Sequence, residues 1–229
     1  MKWKNDDELF TIVKTQLYTA VIGDIMDHLG YRHQFLSPMI KALQPGVSLA
    51  GRAMTVLEAD TFENISTAKV NPSMVKPFGF MLEALDDLKK NEVYVCTGGS
   101  PRYALWGELM SARAMKLGAS GAVLDGYSRD TRGIIDLNFP VFSYGSYAQD
   151  QACRGKVIDF RVPIEMNGVR IMPGDIVIGD IDGVCVVPME AEAEIFSRAI
   201  EKAHGEQKVK RALEEGMSAS EVFYTFGIL

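Results

Sequence analysis

Twenty residues separate Glu108 from the adjacent pair Arg129-Asp130. One end of that spacing reads Gly107-Glu108-Leu109-Met110, and the other reads Val123-Leu124-Asp125-Gly126-Tyr127-Ser128-Arg129-Asp130. A helix that starts at Gly107 leaves backbone N–H groups unpaired and carries a partial positive charge, which suits a carboxylate, with Leu109 and Met110 supplying the donors. Arg129 can grip an oxyanion through its planar fork and stabilise charge developing on an enolate oxygen. Asp130 is a hard oxygen ligand of the kind that holds Mg²⁺ or Mn²⁺, and Glu108 could be a second ligand or hold a metal-bound water. Together these groups suit a metal-bound 2-oxo acid.

Each of them also has a plain structural explanation. An Arg-Asp pair in a loop is commonly a surface ion pair, and a glutamate in the first turn of a helix favours the macrodipole. Gly98-Gly99 lacks the glycine order of a dinucleotide loop and reads as a turn. His28 and His33 have no close cysteine pair beside them, Gly30 ends the helix between them, and His204 stands alone, so no histidine is assigned a role.

The elements that must position the site can be read from periodicity. Ile12, Val13, Leu17, Ala20, Val21, Ile25, Met26 and Leu29 recur at helical spacing up to Gly30, with Thr19 to Asp24 a candidate break into two helices. Gly51 to Glu58 alternates as a strand, and Val93 to Cys96 is a buried strand approached through the charged turn Asp86 to Lys90. A loop over Thr97 to Arg102, a helix from Trp106 to Leu117 closed by Gly118, and a strand from Gly121 to Asp125 complete a βαβ unit. Glu108 then lies in the first turn of the crossover helix and Arg129-Asp130 just past the second strand, at the edge where open sheets place ligands. A shorter helix over Thr131 to Leu137 and a strand over Pro140 to Ser143 follow.

Beyond that point the texture becomes antiparallel, with strands over Val157 to Ile164, Val169 to Ile171, Asp175 to Ile178 and Val184 to Val187, and turns at Asn167-Gly168 and Asp182-Gly183. A long charged helix over Met189 to Glu215 should pack Ile195, Ala199 and Ala203 inward. No repeat or low-complexity linker interrupts the chain, so a single domain is expected: 1–40 as N-terminal helices, 41–188 as the α/β core, and 189–229 as a C-terminal helix and tail.

Composition narrows the function classes. A chain of 229 residues with 47% hydrophobic content buries a core without staples. A formal net charge of −6 argues against nucleic acid as a direct partner, because phosphate affinity needs clustered Lys and Arg. Cys96, Cys153 and Cys185 are too dispersed for close-pair zinc ligands and read as reduced thiols. The N-terminus lacks the apolar core of a signal peptide and no apolar run is as long as a membrane span, so a cytoplasmic protein with no membrane association is expected.

The stretch from Trp106-Gly-Glu-Leu-Met to Val123-Leu-Asp-Gly-Tyr-Ser-Arg-Asp130 resembles the class II pyruvate aldolases that cleave 4-hydroxy-4-methyl-2-oxoglutarate and 4-carboxy-4-hydroxy-2-oxoadipate, a family that shares its fold with the RraA regulators of ribonuclease E. Tyr18 to Asp27, Pro45 to Val56 and Gly174 to Pro188 are similar to the family's N-terminal helix, first strand region and late hairpin. Residues Asp60 to Asn91 carry the least resemblance. The likeness implies an α/β fold of the RraA-like swivelling β/β/α type, with a mixed sheet, a βαβ unit, late β-hairpins and helical N- and C-terminal extensions.

It also implies a function. The family's aldolases carry an aspartate, twenty intervening residues and then Arg-Asp; Arg129 and Asp130 match, and Glu108 stands at the first position. One extra methylene there would shift a metal-bound water by about an ångström. A glutamate on the C-terminal helix of a neighbouring subunit completes the family's metal site, and Glu206 fits that pattern, which implies a homotrimer or a hexamer of paired trimers. The plain reading of Glu206 is an i,i+4 pair with Lys210. The implied enzyme holds Mg²⁺ or Mn²⁺ at Asp130, with help through water from Glu108 and Glu206, and grips a small 2-oxo acid by Gly107, Leu109, Met110 and Arg129. It cleaves a C–C bond through a pyruvate enolate, by retro-aldol reaction or oxaloacetate decarboxylation. Arg102 or Arg132 could take a distal carboxylate, or each could be a solvated loop residue. Two alternatives remain: a non-catalytic RraA-like protein that binds a ribonuclease, and a lyase or decarboxylase acting on a different, sugar-derived acid.

Overall fold

The computed structural model describes residues 3–61 and 75–227. The N-terminal apolar run forms two helices, α1 (Asp6–Gln16) and α2 (Thr19–His28). The Asn5 side chain accepts the Glu8 N–H at 3.0 Å and caps α1. Leu17 and Tyr18 are extended between the helices, and Thr19 opens α2 by donating both its N–H and its hydroxyl to Asp180 at 2.7 Å. Gly30 follows α2 at φ +92°, in the left-handed region where a helix end favours glycine.

One mixed sheet forms the core. Its strands are β1 (Lys41–Ala42), β2 (Leu49–Asp60), β3 (Glu92–Thr97), β5 (Gly121–Leu124), β7 (Val141–Ser143), β8 (Gly155–Phe160), β11 (Ile176–Asp180) and β12 (Gly183–Val187). The spatial order is β1-β7-β5-β3-β2-β11-β12, with β8 also on β2. Strands β2, β3, β5 and β7 run parallel, and the flanking pairs are antiparallel. Because β2 is 12 residues long, its first half pairs β11 and its second half pairs β8. Strand β1 also packs against β11 and β12, so the sheet curls nearly closed on itself.

Both faces of the central strands are buried, as parallel sheets require. On β3, Tyr94 and Cys96 join a core with Met54, Trp106, Ala114 and Leu124, while Val93 and Val95 join Val123, Phe142, Met166 and Ile171 on the other face. A third core packs α1 and α2 against β11, β12 and the C-terminal helix α6 (Glu192–Glu214) through Phe10, Ile22, Met26, Ile195 and Phe196. Ile195, Ala199 and Ala203 are buried along α6, the stripe expected from their spacing.

Between β3 and β5 lie β4 (Ala104–Trp106) and helix α4 (Glu108–Leu117), and β5 is followed by β6 (Tyr127–Ser128) and helix α5 (Thr131–Asp136). The βαβ unit is therefore present, closed by Gly118 at φ +82°. Trp106 belongs to a strand rather than to the helix, because β4 pairs in parallel with β6 beyond the ends of β3 and β5. This small pair decides where the site forms.

Elsewhere the expectations shift at particular residues. The strand expected over Val157 to Ile164 divides into β8 and β9 (Ile164–Met166), because Arg161 takes a left-handed φ of +54°. Strands β9 and β10 (Val169–Ile171) form the hairpin around Asn167-Gly168, both at positive φ. The long final helix begins after a 3₁₀ turn at Met189–Ala191, and a further helix α7 (Ala219–Phe226) follows it with a Ser218/Glu221 capping box. Helix α3 (Met81–Asp86) occupies part of the stretch that carried little resemblance, and residues 62–74 of that stretch lie outside the described residues. Among the described residues no helix is long and apolar enough to cross a membrane.

Candidate active site

Pairing of β4 with β6 brings the two halves of the spacing together. The Arg129 N–H donates to the Trp106 carbonyl at 2.9 Å, which places Arg129-Asp130 directly beside the start of α4. Trp106 is buried, its indole N–H donates to Ser111 Oγ at 2.7 Å, and that hydroxyl donates to the Gly107 carbonyl at 3.1 Å. The indole also packs on Tyr94 and Phe139, with centroids at 4.8 and 6.1 Å. The first turn of α4 is thus held from below by buried groups.

Gly107 is the N-cap of α4, and no side chain caps the helix there. The backbone N–H groups that open α4 therefore have no side-chain cap, and a helix start of that kind can take an anion. Gly107 is also a steric requirement, since a Cβ at that position would stand 2.7 Å from Asp130 Oδ2. Asp130 itself is the N-cap of α5 and takes a left-handed φ of +56°, so its carboxylate turns toward α4.

These groups line one end of a cavity of about 260 Å³, together with Leu109, Met110 and Asp150. Arg129 Nη1 lies 3.1 Å from Asp150 Oδ1, and its Nε lies 3.8 Å from Asp130 Oδ2. Asp150, on the loop before β8, was not found in the sequence, where nothing in its surroundings marks it as chemical. Asp130 and Asp150 are the two carboxylates among the described lining residues, and the half-exposed Asp130 side chain leaves room for water. That suits Mg²⁺, which keeps several waters and takes one or two carboxylates. Among the described residues no group of three or more His, Cys, Asp or Glu is arranged as a metal cage.

The remaining expected residues fall in different places. Glu108 opens α4, and its carboxyl group lies over Gly133 of α5, where a Cβ would come within 2.2 Å of it. It stands beside the Asp130 turn but not in the cavity lining. Glu206 lies on α6, accepts a hydrogen bond from the Tyr18 hydroxyl and stands 3.7 Å from Lys202. The pair with Lys210 does not form; Lys210 lies 3.9 Å from Glu214 instead. Within one chain Glu206 does not line the cavity. Arg102 pairs with Asp60 at 2.9 Å, Arg132 with Asp136 at 3.9 Å, and neither lines the cavity.

Gln151, also in the lining, adjoins a second acidic group. The register of β2 against β8 shifts between Leu57 and Glu58, and Glu58 is 2% exposed. Glu58 Oε1 and the Tyr103 hydroxyl converge on Gly155, where a Cβ would meet them at 2.4 and 2.1 Å. Burial, reinforced by the charge of Asp60, pushes the Glu58 carboxyl up to about 8. Asp60 goes the other way: against the effect of burial, the Ser100 N–H, Arg102 and Tyr103 hold it at about 2. Glu58 Oε1 and Gln151 Nε2 have no hydrogen-bond partner among the described residues.

Known proteins bear out the resemblance. The chain is 30% identical to a provisionally named 4-hydroxy-4-methyl-2-oxoglutarate aldolase of Halalkalibacterium halodurans, over 88% of this chain and 87% of that one. It is also 30% identical to protein DlpA of Legionella pneumophila over 86% of this chain, although the match spans only 30% of that longer protein. The crystal structure of an uncharacterized protein from Pseudomonas syringae superposes with a TM-score of 0.82 at 26% identity, covering 99% of each chain. A family model described as RraA-like, Aldolase/RraA, matches residues 19–186, and the chain belongs to that RraA-like family.

Proposed function

We propose that the protein is a divalent-metal-dependent lyase that breaks a C–C bond of a 2-oxo acid through a pyruvate enolate. The observation that supports this most is the convergence of three groups on one cavity: the uncapped start of α4, the Arg129 guanidinium and the Asp130 carboxylate. Relatives named for 4-hydroxy-4-methyl-2-oxoglutarate cleavage support the same class.

In this reading Asp130 holds Mg²⁺ or Mn²⁺, with Glu108 and a neighbouring subunit's Glu206 acting through water, so the working form is a homotrimer or hexamer. When bound, the cation polarises the 2-oxo group. The Leu109 and Met110 N–H groups bind the carboxylate of the pyruvyl portion. Arg129 lies against the 2-oxo oxygen and stabilises the negative charge that develops there as the bond beyond C3 breaks. Asp150, the other carboxylate in the cavity, holds Arg129 in place and takes the C4 hydroxyl proton in the aldol direction. Oxaloacetate decarboxylation uses the same enolate without that proton transfer. Pyruvate release from these acids, with Mg²⁺ and with EDTA, tests the reading.

A further inference from the structure

The lining of the cavity is mostly apolar. Beyond Arg129, Asp130, Asp150 and the Gln151 amide, its lining includes the apolar side chains of Phe78, Met81, Leu82, Leu85, Leu105 and Met110. These side chains come from α3, from β4, from the first turn of α4 and from the segment before α3. Leu82 is 55% exposed at the lip, whereas Met81, Leu85 and Leu105 are buried behind it. This wall shares one cavity with Arg129, Asp130 and the start of α4, where the pyruvyl portion would bind.

We propose that this wall receives the leaving half of the substrate, and that the physiological substrate is a 4-hydroxy-2-oxo acid ending in an alkyl or aryl group rather than in a second carboxylate. The proposal rests on the enolate-forming reading of Arg129 and Asp130. Among the described residues Arg129 is the cation in the cavity lining, and it is already matched by Asp150 and Asp130. A second carboxylate against this wall would find the neutral Gln151 amide and no further cation among the described lining residues, and removing a charge from water without a charged partner is strongly unfavourable. Arg102 and Arg132, the candidates for gripping it, point their charges to Asp60 and Asp136, and Arg132 is 95% exposed. An apolar group in the same place gains from each square ångström it removes from water.

The reaction balances without a further reactant. The C3–C4 bond breaks and its electron pair stays with C3 as the enolate of pyruvate. The C4 hydroxyl proton passes to Asp150, and C4 becomes the carbonyl of an apolar aldehyde or ketone. A proton added at C3 then gives pyruvate.

Two 2-oxo acids that cannot be cleaved separate the pocket's preference from its chemistry. Calorimetric titration of the full chain with Mg²⁺ should show 2-oxo-4-phenylbutanoate binding at least about tenfold more tightly than 2-oxoglutarate. Pyruvate release from 4-hydroxy-2-oxo-4-phenylbutanoate should exceed that from 4-hydroxy-4-methyl-2-oxoglutarate by a similar factor in kcat/KM. Leu82→Arg should lower the phenyl substrate's kcat/KM about tenfold more than that of oxaloacetate, which has no tail to reach the wall. Preference for 2-oxoglutarate, or no binding of either acid, overturns the proposal. EDTA-sensitive oxaloacetate turnover beside a 2-oxoglutarate preference would overturn the apolar tail alone. Tighter binding of the phenyl acid with no pyruvate released from any substrate would uphold the apolar pocket and sink the enolate chemistry.

Discussion

Arg129 Nη1 stands 3.1 Å from Asp150 Oδ1, and both side chains line the cavity that holds Asp130. The pair is partly exposed, so its contribution to stability is small, about 0–1 kcal/mol. Its place in the cavity gives it a chemical consequence instead. Asp150→Asn should lower kcat for aldol cleavage about a hundredfold, the usual reach of a positioned base. Decarboxylation of oxaloacetate needs no hydroxyl proton removed and should fall by less than about tenfold in the same variant. Steady-state kinetics on both substrates check this, and equal losses would remove Asp150 from the proton transfer.

Gly107 and Asp130 make the second relationship. A Cβ at Gly107 would meet Asp130 Oδ2 at 2.7 Å, and Gly107 sits at an extended φ of −150° that alanine adopts freely. Gly107→Ala should therefore fold normally while displacing the carboxylate. Calorimetric titration with Mn²⁺ should show affinity weakened by about 10-fold to 100-fold, the range seen when a ligand's supporting contact is lost. Unchanged affinity would place the cation elsewhere.

Arg129→Lys keeps the charge but loses the planar fork. With the backbone N–H of Arg129 still fixed on Trp106, the fold should survive and kcat for pyruvate formation should fall by about 10² to 10³. Near-normal kcat with a raised KM would confine Arg129 to ground-state binding.

Much of this site was legible because its residues are local. Glu108 and Arg129-Asp130 flank a helix and a strand whose periodicity is plain, and the turn glycines Gly30 and Gly118 fall where the backbone needs positive φ. The cavity's other wall was not legible. Asp150 enters from a loop after the parallel strands, Phe78 and Leu82 come from the stretch with the least recognisable pattern, and only tertiary packing unites them. The sequence pattern carries the helix back to Trp106 because an apolar residue at its start fits helical spacing as well as it fits a three-residue strand. Glu58 looked like the polar member of an alternating strand, and the register shift that turns it inward leaves no mark in the residue pattern.

Glu58 gives stability a pH dependence of defined sign. Its carboxyl sits near 8 in the folded chain, against about 4.3 for an unperturbed glutamate. Between those values the folded state holds a proton that the unfolded state releases, so stability falls as pH rises, by at most about 1.4 kcal/mol per unit. Above about 8 the loss is complete and this contribution is flat. Glu58→Gln removes the ionisation and should shift the urea midpoint upward at pH 8 while flattening its slope between pH 6 and 8. An identical slope in wild type and variant would mean that Glu58 ionises normally.

The most direct measurement is pyruvate formation from oxaloacetate and from 4-hydroxy-4-methyl-2-oxoglutarate, in wild type and Asp130→Ala, with Mg²⁺ and then with EDTA, after subtracting the metal-only rate. The account predicts turnover of at least one acid by the wild type with Mg²⁺, its loss with EDTA, and no turnover by Asp130→Ala at an unchanged thermal midpoint. Turnover that survives EDTA, or full activity in Asp130→Ala, would contradict it.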